Sequence, residues 1–179
     1  MHPERLAGRY PELFKPAIWG SVQAKFNVVE PIPEASLIAH VNIVPYCNDG
    51  WIIIQLADGR WEIPGGTLEP DEDYLSAARR ELLEEAGASL HSFRIFGAWR
   101  CISSDYKPYR PHLPFPEFYR VVGIGEVEII REPSNPDGDE MVTRVETVSI
   151  DEAAKRFISI NRPDLAELYQ LANEIVRTR

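Results

Sequence analysis

The sequence predicts a mixed α+β fold. Three features predict it: short apolar runs of strand length set off by turn residues, one acid-rich helix between them, and an amphipathic helix near the C-terminal end. Residues 1–35 read as an N-terminal arm punctuated by Pro3, Pro11, Pro16, Pro31 and Pro33, and residues 36–179 as the main domain. Within the arm, Ser21 to Glu30 alternates well enough for an edge strand. Leu37 to Tyr46 and Trp51 to Ala57 read as two strands, with Asn48-Asp49-Gly50 as the hairpin turn between them. A turn at Asp58-Gly59 leads to a short strand, Trp61 to Gly66, which delivers the chain to a helix over Asp73 to Ala86. Ser92 to Cys101 and Glu117 to Glu128 are the next strands, separated by a long Pro-rich loop from Ser103 to Pro116. The acidic turn from Asn135 to Glu140 precedes a strand around Met141 to Ser149. A short helix from Asp151 to Phe157 and an amphipathic one from Pro163 to Arg177 complete the chain, which shows no internal repeat and no low-complexity segment.

The acid-rich helix carries the chemistry. At 3.6 residues per turn, Glu81, Glu84 and Glu85 fall within an arc of about 100°. Like charges three or four residues apart each cost a helix roughly 0.2–0.5 kcal/mol, and Arg80 to Glu84 is the one compensating pair at helical spacing. An apolar stripe of Leu75, Ala78, Leu82 and Ala86 lies beside this patch, so the glutamates border the buried face. A merely solvated set would lie opposite the core with Lys or Arg interleaved. Hard oxygen donors so crowded suit a divalent cation such as Mg²⁺, which binds through carboxylates, waters and substrate phosphates.

Gly66, Glu72, Arg80-Glu81-Leu82, Glu84-Glu85 and Gly87-Ala88 fill every fixed position of G-x5-E-x7-R-E-U-x-E-E-x-G-U, and the segment therefore resembles the Nudix box. Ala88 stands at the small end of what the last position accepts. The resemblance implies an α/β/α sandwich with a mixed β-sheet. It also implies a loop-helix-loop that binds Mg²⁺, with Mn²⁺ as a substitute, and hydrolyses a nucleoside diphosphate linked to another group. Carried over position by position, it implies Glu81, Glu84 and Glu85 as metal ligands, with the Gly65 carbonyl as a further one. Glu84 and Glu85 are then the catalytic carboxylates, and Arg80 orients a neighbouring glutamate. Gly66 and Gly87 serve backbone geometry, Gly87 by ending the helix, and Glu72 favours the helix start.

Composition bounds the rest. A length of 179 residues with 44% hydrophobic residues suits one domain with a sizeable core. A net charge of −9 without a Lys/Arg run opposes duplex DNA as a partner; a small nucleotide is the partner that the resemblance implies. No apolar run reaches the roughly 18–20 residues of a membrane span, and the first residues lack the order of a signal peptide, so a cytoplasmic location is expected. Cys47 and Cys101 read as reduced thiols, and none of the four His sits at metal-ligand spacing. A homodimer is left open.

Outside the box, Glu140 is the preferred further carboxylate for activating water, because it ends a Gly-containing loop that could close over substrate; Glu117 is its competitor. Tyr106 and Tyr109, in the Pro-rich loop, are expected to contact the substrate's base or second moiety. Nucleoside triphosphates, including oxidised ones, rank first as substrates, dinucleoside polyphosphates second and nucleotide sugars third. A nucleotide-binding sensor without hydrolysis is the alternative of another class, set against the retention of every box glutamate.

Overall fold

The two central strands of the sequence are apolar at nearly every position, which dictates a sheet buried on both faces. The computed structural model describes residues 3–29, 31–48, 50–135 and 141–178. Helices α1 (Pro3–Arg9) and α2 (Pro11–Phe14) are followed by strands β1 (Ala17–Trp19), β2 (Val22–Val28), β3 (Ile38–Cys47), β4 (Gly50–Leu56), β5 (Trp61–Glu62) and β6 (Gly65–Thr67). Then come α3 (Tyr74–Glu85), β7 (Ala88–Ser103), β8 (Glu117–Ile129), β9 (Val142–Val148), α4 (Ile150–Ser159) and α5 (Pro163–Arg177).

The strands form one mixed sheet in the order β1-β2-β7-β8-β3-β4-β5, with β6 added to β3 and β9 to β4. β3 and β8 run parallel, with Val41 opposite Val121 and Ile43 opposite Gly123. The long β7–β8 pair is antiparallel. Period-two alternation sends successive side chains of β3 and β4 to opposite faces. Val41, Ile43, Ile52 and Ile54 join one core with Ala78 and Leu82 of α3. Val44, Trp51 and Ile53 join the other, with Phe157 of α4 and Leu168 and Tyr169 of α5. Each such side chain, fully buried, stabilises the fold by about 1.5–3 kcal/mol. The buried Tyr169 hydroxyl donates to the Ile52 carbonyl at 2.8 Å, so its polar end costs little. Helices thus cover both faces of the sheet, as the α/β/α expectation requires.

Several expectations need correction. The single strand from Trp61 to Gly66 is two strands: β5 pairs with β4, and β6 pairs with β3. Pro64 lies at the break, where it has no N–H to give to a ladder, and its carbonyl accepts from the Ile43 N–H at 2.9 Å. β2 is not an edge strand, because β1 pairs on one side and β7 on the other. The arm is also built into the core, through buried Leu6 and Leu13 and through Arg9 and Tyr10, which both bond Glu174 of α5 at 2.7 Å. The hairpin pairs Tyr46 with Trp51 and Cys47 with Gly50. Among the described residues, no helix is long and apolar enough to cross a membrane.

Candidate active site

Helix α3 begins where Asp73 can cap it: its carboxylate accepts from the Leu75 and Ser76 N–H groups at 2.8 and 2.9 Å. The helix ends at Ala86, and Gly87 follows at φ +60. A Cβ there would lie 1.8 Å from the Arg131 carbonyl oxygen, so glycine is needed for both conformation and space. Between these ends Ala77, Ala78, Glu81 and Leu82 are buried; Ala77 takes the place that the sequence pattern assigned to Leu75.

Arg80 organises the acids of this segment. Its Nε and Nη2 each donate to one oxygen of Glu72 at 2.9 Å, a bidentate pair. Nη1 donates to Glu81 at 2.7 Å and to Glu84 at 3.3 Å, and Nη2 also reaches the Thr67 carbonyl at 3.3 Å. The pairing with Glu84 is therefore the longest of three acid contacts, not the one compensating pair that helical spacing predicts. Glu72 precedes the helix, and only the fold of the loop brings it to Arg80. It does not cap the helix start; it accepts from the Glu69 N–H at 2.9 Å and from Arg80. These Arg80 hydrogen bonds hold its carboxyl below the usual range, and they raise the Arg80 pKa in turn.

The glutamates have distinct surroundings. Glu81 is 7% exposed and faces the backbone of Gly66, where a Cβ would sit 1.8 Å from its Oε1. Gly66 thus forms a cradle that only a missing side chain leaves open. Glu85 accepts from the Gly65 N–H at 2.8 Å, which ties the end of α3 to β6. Gly65 itself has φ +154 and lies against Asn42 and the Val41 carbonyl. Among the described residues, no three His, Cys, Asp or Glu side chains stand converged as a metal cage. Arg80 draws Glu81 and Glu84 to itself, while Glu85 turns to Gly65.

A cavity of about 520 Å³ opens beside this segment, and Gly65, Glu85, Glu62, His40, Arg120 and Arg162 all line it. Arg162 is balanced by Glu62 at 3.1 Å and Asp164 at 2.9 Å. A smaller cavity of about 270 Å³ shares His40 and Arg120 with the first and is lined on one side by the Pro-rich loop. Sequence reasoning passed over His40, Glu62, Arg120 and Arg162. Two signals were available: Glu62 stands just before Pro64-Gly65-Gly66, and Arg120 is a lone cation inside the apolar run of β8.

The other expected site residues are dispersed. Tyr109 borders the smaller cavity but is 82% exposed, while Tyr106 is 87% exposed and borders neither. Lys107 and Arg110 lie over their rings at 5.5 and 5.7 Å. The loop that carries them is anchored to the arm, since the Ser104 N–H donates to the Ser21 carbonyl at 3.0 Å. Glu117 is held by both sides of the Arg100 fork at 2.7 and 2.8 Å, and those bonds push its pKa down. Glu140 lies outside the described residues.

Similarity to other proteins follows the same segment. The NUDIX domain model matches residues 38–170, which include the α3 acids, Gly65 and most of the cavity wall. YtkD of Bacillus subtilis (strain 168), whose assigned name is that of an 8-oxo-dGTP diphosphatase, is 29% identical over 92 residues, 51% of this chain and 56% of YtkD. An 8-oxo-dGTP diphosphatase of Buchnera aphidicola subsp. Schizaphis graminum (strain Sg) is 43% identical over 47 residues, 26% of this chain and 34% of that protein. The matches thus span about half or less of these relatives. The crystal structure of a mutant of the Bacillus subtilis pyrophosphohydrolase BsRppH shares the fold, with a TM-score of 0.56 over 83% of this chain and 91% of that one at 17% identity. Because the domain match takes in about three quarters of the sequence and the Gly66 to Ala88 motif is complete within it, the chain belongs to the NUDIX domain family.

Proposed function

We propose that this protein is a divalent-metal-dependent hydrolase of a pyrophosphate bond in a nucleoside diphosphate derivative, with nucleoside triphosphates, oxidised ones included, as its first substrate class. The observation that carries the reading is the meeting of Glu85, from the motif, and Gly65, the residue just before it, in the wall of a cavity large enough for a nucleotide. The names of the two 8-oxo-dGTP diphosphatase relatives support the ranking of substrates.

The donor set fits a hard cation. Carboxylates and a carbonyl are what Mg²⁺ or Mn²⁺ takes, and the cradle at Gly66 lets the buried Glu81 carboxylate sit against backbone where a side chain would displace it. Glu81, Glu84, Glu85 and the Gly65 carbonyl would hold the metal. When bound, it supplies neutralisation of phosphate charge and a lowered pKa for water. Arg80 keeps Glu81 and Glu84 oriented, and Glu72 fixes Arg80 by its bidentate bond. Glu84 and Glu85 are the carboxylates we assign to the reacting phosphate, and Glu140 is the carboxylate we assign to accept the proton of the attacking water. Glu117 is the poorer base, since Arg100 engages both of its oxygens. Tyr109, and through the same loop Tyr106, would meet the base or second moiety. Cys101 is buried with its pKa pushed up to about 11 by burial, an inert thiol that suits a cytoplasmic setting.

The test is release of phosphate, pyrophosphate or nucleoside monophosphate from a nucleotide panel with Mg²⁺ or Mn²⁺. Release from triphosphates ahead of dinucleoside polyphosphates and nucleotide sugars is the expected result. Tight binding of a nucleotide with no release under any condition would instead make the protein a sensor.

A further inference from the structure

Arg120 is the fourth residue of β8, opposite His40 of β3 and Trp99 of β7, and its side chain lines both cavities. Nη2 donates to His40 Nε2 at 3.0 Å. Because a guanidinium can only donate, Nε2 must be the unprotonated nitrogen, and the proton sits on Nδ1, which faces Thr67 Oγ1 at 3.5 Å. Burial and the Arg120 charge push the His40 pKa well down, which keeps this ring neutral. Trp19, from β1 in the N-terminal arm, covers the guanidinium at 5.1 Å from its ring centroid.

What the guanidinium lacks is an anion. Its Nε is buried without a hydrogen-bond partner, and among the described residues no carboxylate forms a salt bridge with Arg120. Arg162, the other cation of the same cavity, has two. A charge so withdrawn from water is ordinarily paired or neutralised; burial lowers the Arg120 pKa, and Glu62 in the same cavity attracts the guanidinium without forming a salt bridge with it. Neither a neutral imidazole nor an indole face compensates a full positive charge. A base carbonyl would not either, whereas a phosphate oxygen does.

We propose that Arg120 is the anion receptor of this cavity: held by His40 and covered by Trp19, it binds a phosphoryl oxygen of the nucleotide substrate. The proposal rests on the hydrolase reading above. It also gives the arm a role, because Trp19, which covers Arg120 and lines the cavity, lies outside the segment matched to the family.

Inorganic triphosphate in excess chelator probes this site without turnover and without the glutamates holding a cation. Calorimetry on the full chain should show binding to the wild type and a dissociation constant raised at least tenfold in Arg120→Met, the scale of one charge-assisted hydrogen bond. Arg120→Lys, which keeps the charge but not the fork, should fall between them. The ligand-free Arg120→Met protein should melt at or above the wild-type temperature, since a largely desolvated charge without a salt bridge has been removed; a merely structural arginine would lower it. Trp19→Leu, which leaves the arginine in place, should weaken triphosphate binding severalfold and carries the test if Arg120→Met does not fold. Wild-type affinity in both Arg120→Lys and Trp19→Leu overturns the proposal, as does a lowered melting temperature in Arg120→Met with triphosphate affinity intact. If the wild type turns over nucleotides while these variants bind normally, the Arg120 assignment falls and the hydrolase reading stands. If the wild type neither binds triphosphate nor hydrolyses nucleotides, both fall.

Discussion

Replacing Arg80 with Met removes a cation that engages Glu72, Glu81 and Glu84 together while keeping a side chain of similar length. Four hydrogen bonds to carboxylates are lost, two of them the bidentate pair to Glu72 at 2.9 Å. Glu81 is left almost fully buried, and Glu72 nearly so, with side-chain exposure of 12%. Breaking a buried ion pair by removing one partner costs about 3–5 kcal/mol. Arg80 is itself 23% exposed and the bonds are not additive, so about 3 kcal/mol at pH 7 is expected. In a chain of this size that lowers the melting temperature by roughly 6–12 °C. The effect has a pH signature. The Glu72 pKa is depressed in the folded protein, first of all by its hydrogen bonds to Arg80, so its contribution is present above the ordinary carboxylate pKa of about 4.3 and is lost as pH falls through the folded value. The difference between the two proteins should therefore be largest near pH 7 and shrink below about pH 4. Added Mg²⁺ should recover more melting temperature in the variant than in the wild type, because three carboxylates then lack their shared partner. Thermal melts at both pH values, with chelator and with Mg²⁺, make the test. A variant that melts within 2 °C of wild type at pH 7, or a deficit independent of pH, would refute the clamp.

Glu84→Gln and Glu85→Gln should each lower turnover by at least about 100-fold, with ligand-free melting temperature held or slightly raised because a like charge leaves the patch; near-normal turnover in both removes the metal-site assignment. Gly66→Ala places a Cβ on the Glu81 carboxylate and should cost about 1–3 kcal/mol of stability along with most activity; full activity would show that Glu81 has no fixed station. Glu140→Gln should depress turnover by about 10²-fold or more and alter the acidic limb of the rate profile, while Glu117→Gln should not, its carboxylate being engaged by Arg100; the reverse pattern moves the base to Glu117. Replacing Tyr106 and Tyr109 with Ala should change KM and substrate ranking more than kcat, Tyr109 more than Tyr106 because only Tyr109 borders a cavity; an unchanged ranking returns the loop to a structural role.

Local pattern alone determined the parts of this protein whose physics is local. The helix from Asp73 to Ala86 was legible because its charge spacing, its apolar stripe and its terminal glycine all lie within one stretch, and α5 was legible from its amphipathic run after Pro163. The motif from Gly66 to Ala88 named the acids of the candidate site, since a charge cluster at 3.6-residue spacing is a property of the chain before it folds. Partnerships across the sheet were beyond it. Arg80 reaches Glu72 because a loop turns back, Gly66 is needed because Glu81 lies across from it, and β2 is placed by pairing with β7, far away along the chain. His40, Glu62, Arg120 and Arg162 share one cavity only because β3, β5, β8 and the start of α5 are neighbours in space. Such contacts depend on strand register and crossover, which are settled by the packing of two cores against one sheet, and no window along the sequence carries them.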